Sequence, residues 1–272
     1  MKNFFITTPI YYVNDKPHIG HAYTTILADV LARYYRSINY KTFFLTGLDE
    51  HGQKVQQAAE LNNVSPIEHC NKMAPRFIDL WSKLHISYDD FIRTTQNRHI
   101  SGVQKILNKV YNNGDIYKDE YEGLYSISEE RFITEKEAES GEFRDIKKIK
   151  EKNYFFKMSK YQKSLIAHIK SNPMFLQPEH RKNEILGFLK KPLNDLCISR
   201  PKSRLNWGIE LPFDSDYVTY VWFDALINYI TAPGFLNNKT LFDKYWPASM
   251  HLIGKDILTT HAVYWPTMLM SA

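Results

Sequence analysis

Two histidines three residues apart are the first side chains along the chain that could do chemistry. His18 and His21 belong to residues 17–21, Pro-His-Ile-Gly-His, placed where an apolar strand over residues 4–12 gives way to a helix. A helix start presents unpaired backbone N–H groups and the positive end of the helix dipole, which suits phosphate. Gly20 lets a base or sugar approach the backbone closely. The segment indicates a nucleotide site, although chance and metal sites also produce HxGH.

A carboxylate at the end of a second predicted strand is the next candidate. Residues 42–46 form a short apolar strand, and residues 47–52 continue as Gly-Leu-Asp-Glu-His-Gly before another helix. A carboxylate beside glycines at a strand end is poorly placed for packing, because acidic side chains are rarely buried without a partner. Asp49 is therefore predicted to bind a ligand.

Alternating strands and helices must position these residues. The first helix is predicted to reach about residue 37, with an apolar face of Ile26, Leu27, Val30, Leu31 and Tyr34. Further helices are predicted over residues 66–83 and 98–111, and further strands over residues 90–94, 217–223 and 250–254, the last two each followed by a helix. This alternation predicts an α/β fold in which helices cover a parallel sheet.

A charged stretch interrupts this pattern. Residues 115–143 hold ten acidic and three basic side chains, whereas residues 144–204 hold sixteen basic and five acidic ones. We therefore predict three segments: residues 1–114 and 217–272 as the two halves of one domain, and residues 115–216 as an insertion. The basic stretch could contact a phosphate backbone, or it could be a solvated lysine-rich surface.

Composition narrows the class of protein further. The chain has 272 residues, is 43% hydrophobic and carries a formal net charge of +5, too small to identify a nucleic-acid partner by itself. No apolar run approaches the length of about 20 residues that a membrane helix needs, and no signal peptide is recognisable, so we expect no membrane association and a cytoplasmic location. Cys70 and Cys197 are far apart, which argues against a disulfide framework or a cysteine zinc site.

Several motifs, in order along the chain, resemble the methionyl branch of the class I aminoacyl-tRNA synthetases. They are His-Ile-Gly-His at residues 18–21, Thr-Thr-Pro-Ile-Tyr-Tyr-Val-Asn at 7–14, Thr-Gly-Leu-Asp-Glu-His-Gly at 46–52, Val-Trp-Phe-Asp-Ala at 221–225 and Gly-Lys-Asp-Ile at 254–257. The resemblance implies a Rossmann-type doubly wound parallel sheet interrupted by an inserted α+β connective domain. Ligands of such sheets bind at the carboxyl ends of the strands.

The resemblance also implies the site residues. His18 and His21 would act in catalysis, and the ATP site would comprise Pro17, His18, Gly20, His21, Gly254 and Asp256. Asp49 would pair the substrate ammonium in a methionine pocket that comprises Ile10, Tyr12, Asp49, Trp222, Ala225, Leu226, Tyr229, Ile257 and His261. On local grounds alone, Trp222 and Tyr229 could instead be core residues, and Asp256 could be a helix N-cap.

The implied reaction is attack by the carboxylate of L-methionine on the α-phosphate of ATP, with Mg²⁺, followed by transfer of the methionyl group to the acceptor end of tRNA(Met). Catalysis would come from positioning and charge stabilisation rather than from a covalent protein nucleophile.

Two departures from the family pattern are expected. Residues 157–160, Lys-Met-Ser-Lys, are not the second class I signature, because they precede Trp222 and are followed by Tyr161; we predict instead a capping box of Ser159 and Gln162. The true signature should lie outside these 272 residues, so we expect little or no adenylate formation by this chain alone. Many relatives bind zinc through cysteines where this chain has Ser126 and Glu129, so no zinc is predicted.

Two other functions stay open from the sequence. One is a different HxGH nucleotidyltransferase that never touches tRNA, and the other is a non-catalytic remnant of a synthetase that serves as a binding module. Amino-acid-dependent exchange of pyrophosphate into ATP would separate the first of these from a synthetase.

Overall fold

The computed structural model describes residues 2–126, 131–133, 135–141 and 145–272. The strands are β1 (Asn3–Thr7), β2 (Tyr11–Tyr12), β3 (Lys41–Asp49), β4 (Asp90–Arg93), β5 (Ile116–Ser126), β6 (Arg131–Ile133), β7 (Ile146–Phe156), β8 (Leu196–Cys197), β9 (Ser199–Pro201), β10 (Glu210–Leu211), β11 (Asp214–Thr219) and β12 (Met250–His251). The helices are α1 (Ile19–Ser37), α2 (Gln53–Leu61), α3 (Pro66–Lys83), α4 (Asn97–Asn112), α5 (Glu135–Glu139), α6 (Gln162–Ser171), α7 (Glu179–Phe188), α8 (Val221–Leu226), α9 (Asn228–Thr231), α10 (Lys239–Tyr245) and α11 (Trp265–Ser271). Single tight turns of helix occupy Met158–Tyr161 and Lys255–Ile257, and a wider turn occupies Thr260–Tyr264.

The chain divides into two compact units. The first comprises Met1–Lys105, Trp207–Ile209 and Val221–Leu258, and the second comprises Ile106–Asn206, Glu210–Tyr220 and Thr259–Ala272. The segment boundaries expected from the sequence, after residues 114 and 216, stay a prediction.

A parallel sheet lies at the centre of the first unit. Its order is β12, β1, β3, with β4 on the far side of β3, and every pairing is parallel. Helix α1 packs on this sheet through Ala28 and Ala32, which contact Phe4, Ile6 and Phe44. The α/β fold with a parallel sheet is therefore confirmed, and the carboxyl ends of its strands lie at a common edge.

The single strand predicted over residues 4–12 is wrong, because it is two strands. β1 pairs with β3 as far as Thr7 opposite Leu45, and β2 rejoins β3 further along, with Tyr12 opposite Asp49. Pro9 lies in the gap and has no backbone N–H to donate, so the ladder cannot continue through it. The break brings Tyr11 and Tyr12 to the end of β3.

The predicted apolar face of α1 is not the face that the sheet buries. Ile26, Leu27, Val30 and Tyr34 are 39–56% exposed, whereas Leu31 only flanks the core. The buried residues are Thr25, Ala28, Asp29 and Ala32. Small side chains let the helix axis approach the sheet closely, and the carboxylate of Asp29 is satisfied by Ser87 and Arg33.

Two elements near the end of the chain differ from expectation. The strand predicted over residues 217–223 is wrong in its second half, because β11 ends at Thr219 and α8 begins at Val221, so Trp222 lies on a helix. The strand expected over residues 250–254 is shorter, because only Met250 and His251 form β12. Gly254 caps the tight turn that follows, and Asp256 lies inside that turn instead of capping it.

Opposite charges meet across the antiparallel pair of the second unit. β5 pairs with β7 along its whole length, so that Glu122 stands opposite Lys150. Lys148 Nζ lies 2.9 Å from Glu122 Oε1, and Lys150 Nζ lies 3.7 Å from Glu120 Oε2. The acidic and basic stretches therefore neutralise each other here, and these two lysines favour a solvated surface over a contact to a phosphate backbone.

The predicted capping box at the start of α6 is wrong. Ser159 donates its hydroxyl to Asp195 Oδ1 (2.6 Å), and the side chain of Gln162 donates to the carbonyl oxygens of Leu189 and Lys191. Both side chains are used in tertiary contacts, which override the local motif.

Among the helices in the described part of the chain, none is long and apolar enough to cross a membrane.

Gly47 is expected to be a critical position for the sheet. A Cβ added to it would lie 2.1 Å from the carbonyl oxygen of Ile92 on β4, so Gly47→Ala must push two paired strands apart. We expect a loss of about 1–3 kcal/mol in the free energy of unfolding, measured by urea denaturation. Gly187→Ala on α7 is the control, because its Cβ would meet nothing within 4 Å. Equal stability of the two variants would contradict this packing.

Candidate active site

Two imidazoles cap the first turn of α1. His18 Nδ1 accepts the backbone N–H of Gly20 (3.1 Å), and His21 Nδ1 accepts the backbone N–H of His18 (3.3 Å). The two rings stack with their centroids 3.7 Å apart. A Cβ on Gly20 would lie 3.0 Å from the His18 ring, so the absence of a side chain at Gly20 makes room for that ring. No acidic residue neutralises this first turn.

These contacts fix which nitrogen of each ring can donate. A ring nitrogen that accepts a backbone N–H cannot carry a proton itself, so the proton of each neutral ring lies on Nε2. His18 and His21 therefore offer two N–H donors beside the positive end of the α1 dipole. This combination suits phosphate oxygens.

The His21 ring is held among aromatic side chains. It lies 4.7 Å from the ring of Tyr11 and 5.6 Å from that of Phe77. Burial, followed by the neighbouring His18, lowers the pKa of His21 to about 4. Tyr11 is itself fixed by a 2.7 Å hydrogen bond to the Thr25 hydroxyl. His21 is therefore a neutral donor at physiological pH.

Asp49 ends β3 and is almost completely buried. The residue after it, Glu50, anchors the loop: its carboxylate accepts from Arg93 Nε (2.6 Å), and its carbonyl oxygen accepts from Trp207 Nε1 (2.5 Å). Gly52 donates its backbone N–H to the carbonyl oxygen of Trp207 (3.2 Å). The chain is thus pinned directly beyond the carboxylate.

Helices α8 and α9 carry the predicted pocket wall. Over residues 221–230, Trp222 is the one partly exposed side chain, while Ala225, Leu226 and Tyr229 are buried. The Tyr229 ring lies 4.4 Å from that of His251 at the end of β12, and His251 Nδ1 lies 2.8 Å from the Thr7 hydroxyl. Trp222 is therefore the most exposed residue of this wall.

A buried carboxylate joins this wall to the loop beyond Asp49. Asp224 accepts hydrogen bonds from His51 Nδ1 (2.7 Å) and from His99 Nε2 (2.6 Å), and both partners are buried. Burial raises the pKa of Asp224, but His51 and the two hydrogen bonds outweigh it and lower the pKa to about 2. Asp224 is consequently ionised at physiological pH.

The turn after β12 holds the remaining nucleotide candidates. Gly254 is partly exposed and Asp256 is exposed, and a Cβ on Gly254 would lie 2.5 Å from Asp256 Oδ1. The carboxylate thus folds back over the glycine. Ile257 is partly buried in the same turn. His261 is buried within the second unit.

The predicted residues of the first unit are connected by contacts at the strand ends. The ring of His21 contacts that of Tyr11, and the next residue, Tyr12, pairs with Asp49 on β3. His51, two residues after Asp49, is hydrogen-bonded to Asp224, which lies two residues after Trp222. The turn with Gly254 follows β12, which pairs with β1. Pro17 and Ile10, both partly exposed, flank β2 and the start of α1.

Sequence reasoning missed the residues that hold the candidates in place. Tyr11, Glu50, His51, His99, Trp207 and Asp224 were assigned no role. The signal that could have found Asp224 is an acidic residue inside the run Val-Trp-Phe-Asp-Ala-Leu, because a carboxylate among apolar neighbours must find a partner.

No group of three or more His, Cys, Asp or Glu side chains could hold a metal ion within residues 2–126, 131–133, 135–141 and 145–272. Ser126 is buried at the end of β5. Glu129, the other position at which relatives were expected to carry a zinc ligand, lies outside these residues.

Comparison with known proteins decides the family. The family model described as "tRNA synthetases class I (M)" matches residues 4–142 and 140–272. This chain belongs to the class I tRNA synthetases of the methionine type. It is 51% identical over its whole length to a methionine–tRNA ligase of Fusobacterium nucleatum and 52% identical over 99% of its length to one of Clostridium tetani.

A solved synthetase structure shows the same fold. The Mycobacterium tuberculosis methionyl-tRNA synthetase in complex with methionyl-adenylate matches 100% of the chain with a TM-score of 0.95 and 43% identity. The free form of that synthetase matches with a TM-score of 0.84. The chain spans 43% of the length of the two bacterial ligases and 55% of the adenylate-bound chain.

The His21 imidazole of this synthetase chain is expected to titrate near pH 4. The unfolded chain takes up this proton near the ordinary value of about 6.5, so the contribution of His21 lowers the stability of the fold as pH falls from about 6.5 towards 4. Proton–nitrogen NMR of the ring, assigned with a His21→Gln variant, measures the midpoint. A midpoint of 6.5 or above would contradict the buried, neutral state.

Proposed function

We propose that this chain is part of the catalytic region of a methionine–tRNA ligase. Such an enzyme activates L-methionine with ATP and passes the methionyl group to tRNA(Met) for protein synthesis in the cytoplasm. The observation that carries the proposal is that β2 connects the candidate nucleotide site with the candidate amino-acid site. Tyr11 of β2 contacts His21, and Tyr12 beside it pairs with Asp49 of β3. A triphosphate and an ammonium group bound there would be neighbours.

The nucleotide half of the proposed site is built around α1. His18 and His21 would donate their Nε2 protons to phosphate oxygens, while Pro17 and Gly20 shape the turn. Gly254 and Asp256 would meet the ribose and adenine beyond the end of β12. The likeness to a structure that holds methionyl-adenylate supports this arrangement.

The amino-acid half would use one charge and an apolar wall. The carboxylate of Asp49 would pair the methionine ammonium, and Trp222 would cover the side chain. Methionine offers only an apolar stem and a soft thioether, so aromatic contacts are what a selective pocket can use. The remaining members of the proposed wall in the first unit are Ile10, Tyr12, Ala225, Leu226, Tyr229 and Ile257. His261, which the resemblance also implies, belongs to the second unit and stays a prediction.

The chemistry would be an in-line displacement. The methionine carboxylate oxygen forms a bond to the α-phosphorus as the bond to the bridging oxygen of pyrophosphate breaks, and pyrophosphate leaves with that electron pair. The ribose hydroxyl of the terminal adenosine of tRNA then attacks the methionyl carbonyl and releases AMP. His18 and His21 would stabilise the charge on the phosphate oxygens. Mg²⁺ would arrive with ATP and would neutralise part of the charge on its phosphates.

Removing the charge of Asp49 is expected to weaken methionine binding. Asp49→Asn should cost about 2–5 kcal/mol, or about 30-fold and more in Kd, because the substrate ammonium loses a buried partner. The ATP affinity should change little. Isothermal calorimetry with methionine and with ATP measures both values for the chain.

The matched control is Asp15→Asn, at an exposed carboxylate that accepts the backbone N–H of Lys16. It should leave both affinities unchanged. If the unsubstituted chain bound ATP but no methionine, the proposed methionine pocket would be wrong.

A further inference from the structure

Asp224 carries a carboxylate that the proposed chemistry does not use. The side chain is completely buried, and each carboxylate oxygen accepts one hydrogen bond: Oδ2 from His51 and Oδ1 from His99. Burying an ion pair or a charged hydrogen-bond network often stabilises a fold no better than apolar packing would. A network at this position therefore calls for an explanation in geometry.

The network joins the two walls of the proposed methionine site. His51 lies two residues beyond Asp49 on the loop after β3, and Asp224 lies two residues beyond Trp222 on α8. The hydrogen bond between His51 and Asp224 thus connects the segment that carries Asp49 with the helix that carries Trp222. All of these residues belong to the first compact unit.

Helix α4 also holds Asp224 in place. His99 on α4 binds Asp224 through Nε2 and contacts the Thr231 hydroxyl through Nδ1 at 3.1 Å. One turn further, Gly102 lies so close to Thr231 that an added Cβ would be 2.1 Å from its methyl group. Helix α4 therefore presses on α9 and leaves Asp224 little freedom to move.

The loop side is equally constrained. The ring of His51 packs 5.3 Å from the indole of Trp207, whose Nε1 holds the carbonyl oxygen of Glu50. Glu50 and Gly52 attach the loop to Arg93 and Trp207, whereas the bond from His51 attaches it to α8.

We propose that Asp224 is a positioning residue for the methionine subsite, which it serves by holding Asp49 and Trp222 at a fixed separation through His51 and its own helix. The inference rests on the function proposed above. Loss of the hydrogen bond between His51 and Asp224 should weaken the binding of methionine selectively, because the ATP candidates at the start of α1 are held by separate contacts.

The test compares two buried aspartates. Asp224→Asn keeps the volume but can no longer accept from both imidazoles; Asp29→Asn removes a buried carboxylate that binds Ser87 and Arg33 instead. Both should lower stability. Only Asp224→Asn should raise the methionine Kd, by about 10-fold to 100-fold, the range known for groups that orient metal ligands. Its ATP Kd should stay within about twofold, on the premise that the ATP contacts are independent.

A second readout does not depend on methionine. Amide hydrogen exchange at residues 49–52 should become faster in Asp224→Asn and not in Asp29→Asn. If Asp224→Asn does not fold, His51→Phe takes its place, since it keeps a ring against Trp207 and removes the bond.

The outcomes separate the two proposals. Unchanged exchange at residues 49–52 would overturn the positioning role, as would an unchanged methionine affinity or an equal loss of ATP affinity. If the unsubstituted chain binds no methionine, the proposed function fails, and the exchange measurement still decides whether Asp224 holds the loop.

Discussion

Parallel pairing of β3 with β1 and β2 is the constraint on which the rest of the site depends. Because β1, β3 and β12 run in the same direction, the residues that follow them emerge at one edge of the sheet. Pro9 interrupts the first of these strands and lets Tyr11 and Tyr12 rejoin β3 beside Asp49. The histidine turn at the start of α1 is then reached within a few residues.

Buried polar contacts convert this arrangement into a rigid one. Glu50 holds the chain after β3 to Arg93 at the end of β4, and His51 holds it to α8 through Asp224. A buried carboxylate left without its partner costs several kcal/mol, so each bond resists local opening. Rigid walls would matter for the proposed methionine site, since a few methylenes discriminate between amino acids by only about 1–3 kcal/mol.

Much of the fold could be predicted from the sequence. The alternation of apolar strands and helices gave the parallel sheet, and the helix from residue 19 to 37 was placed correctly. The burial pattern of that helix was not, because Ala28 and Ala32 pack more closely than the larger Ile26 and Val30 can. Local patterns also failed where a tertiary partner competed, as at Ser159, which binds Asp195 instead of capping α6.

Candidate site residues were easier to name than the residues that hold them. His18 and Asp49 can be recognised from their residue type and from their position after or at the end of a predicted strand. His51, His99 and Asp224 are far apart along the chain, and their association depends on how α4 and α8 meet, which no local pattern encodes. The opposed charges of β5 and β7 are likewise explained only by the register of the two strands.

Binding of a non-hydrolysable methionyl-adenylate analogue tests most directly whether nucleotide and amino acid share one cleft. Calorimetry would compare the analogue with methionine alone and with AMP alone. If the two subsites adjoin, the analogue should bind about 100-fold or more tighter than the better of its halves, because the second contact becomes intramolecular. An analogue that binds no tighter than one half would contradict a shared cleft.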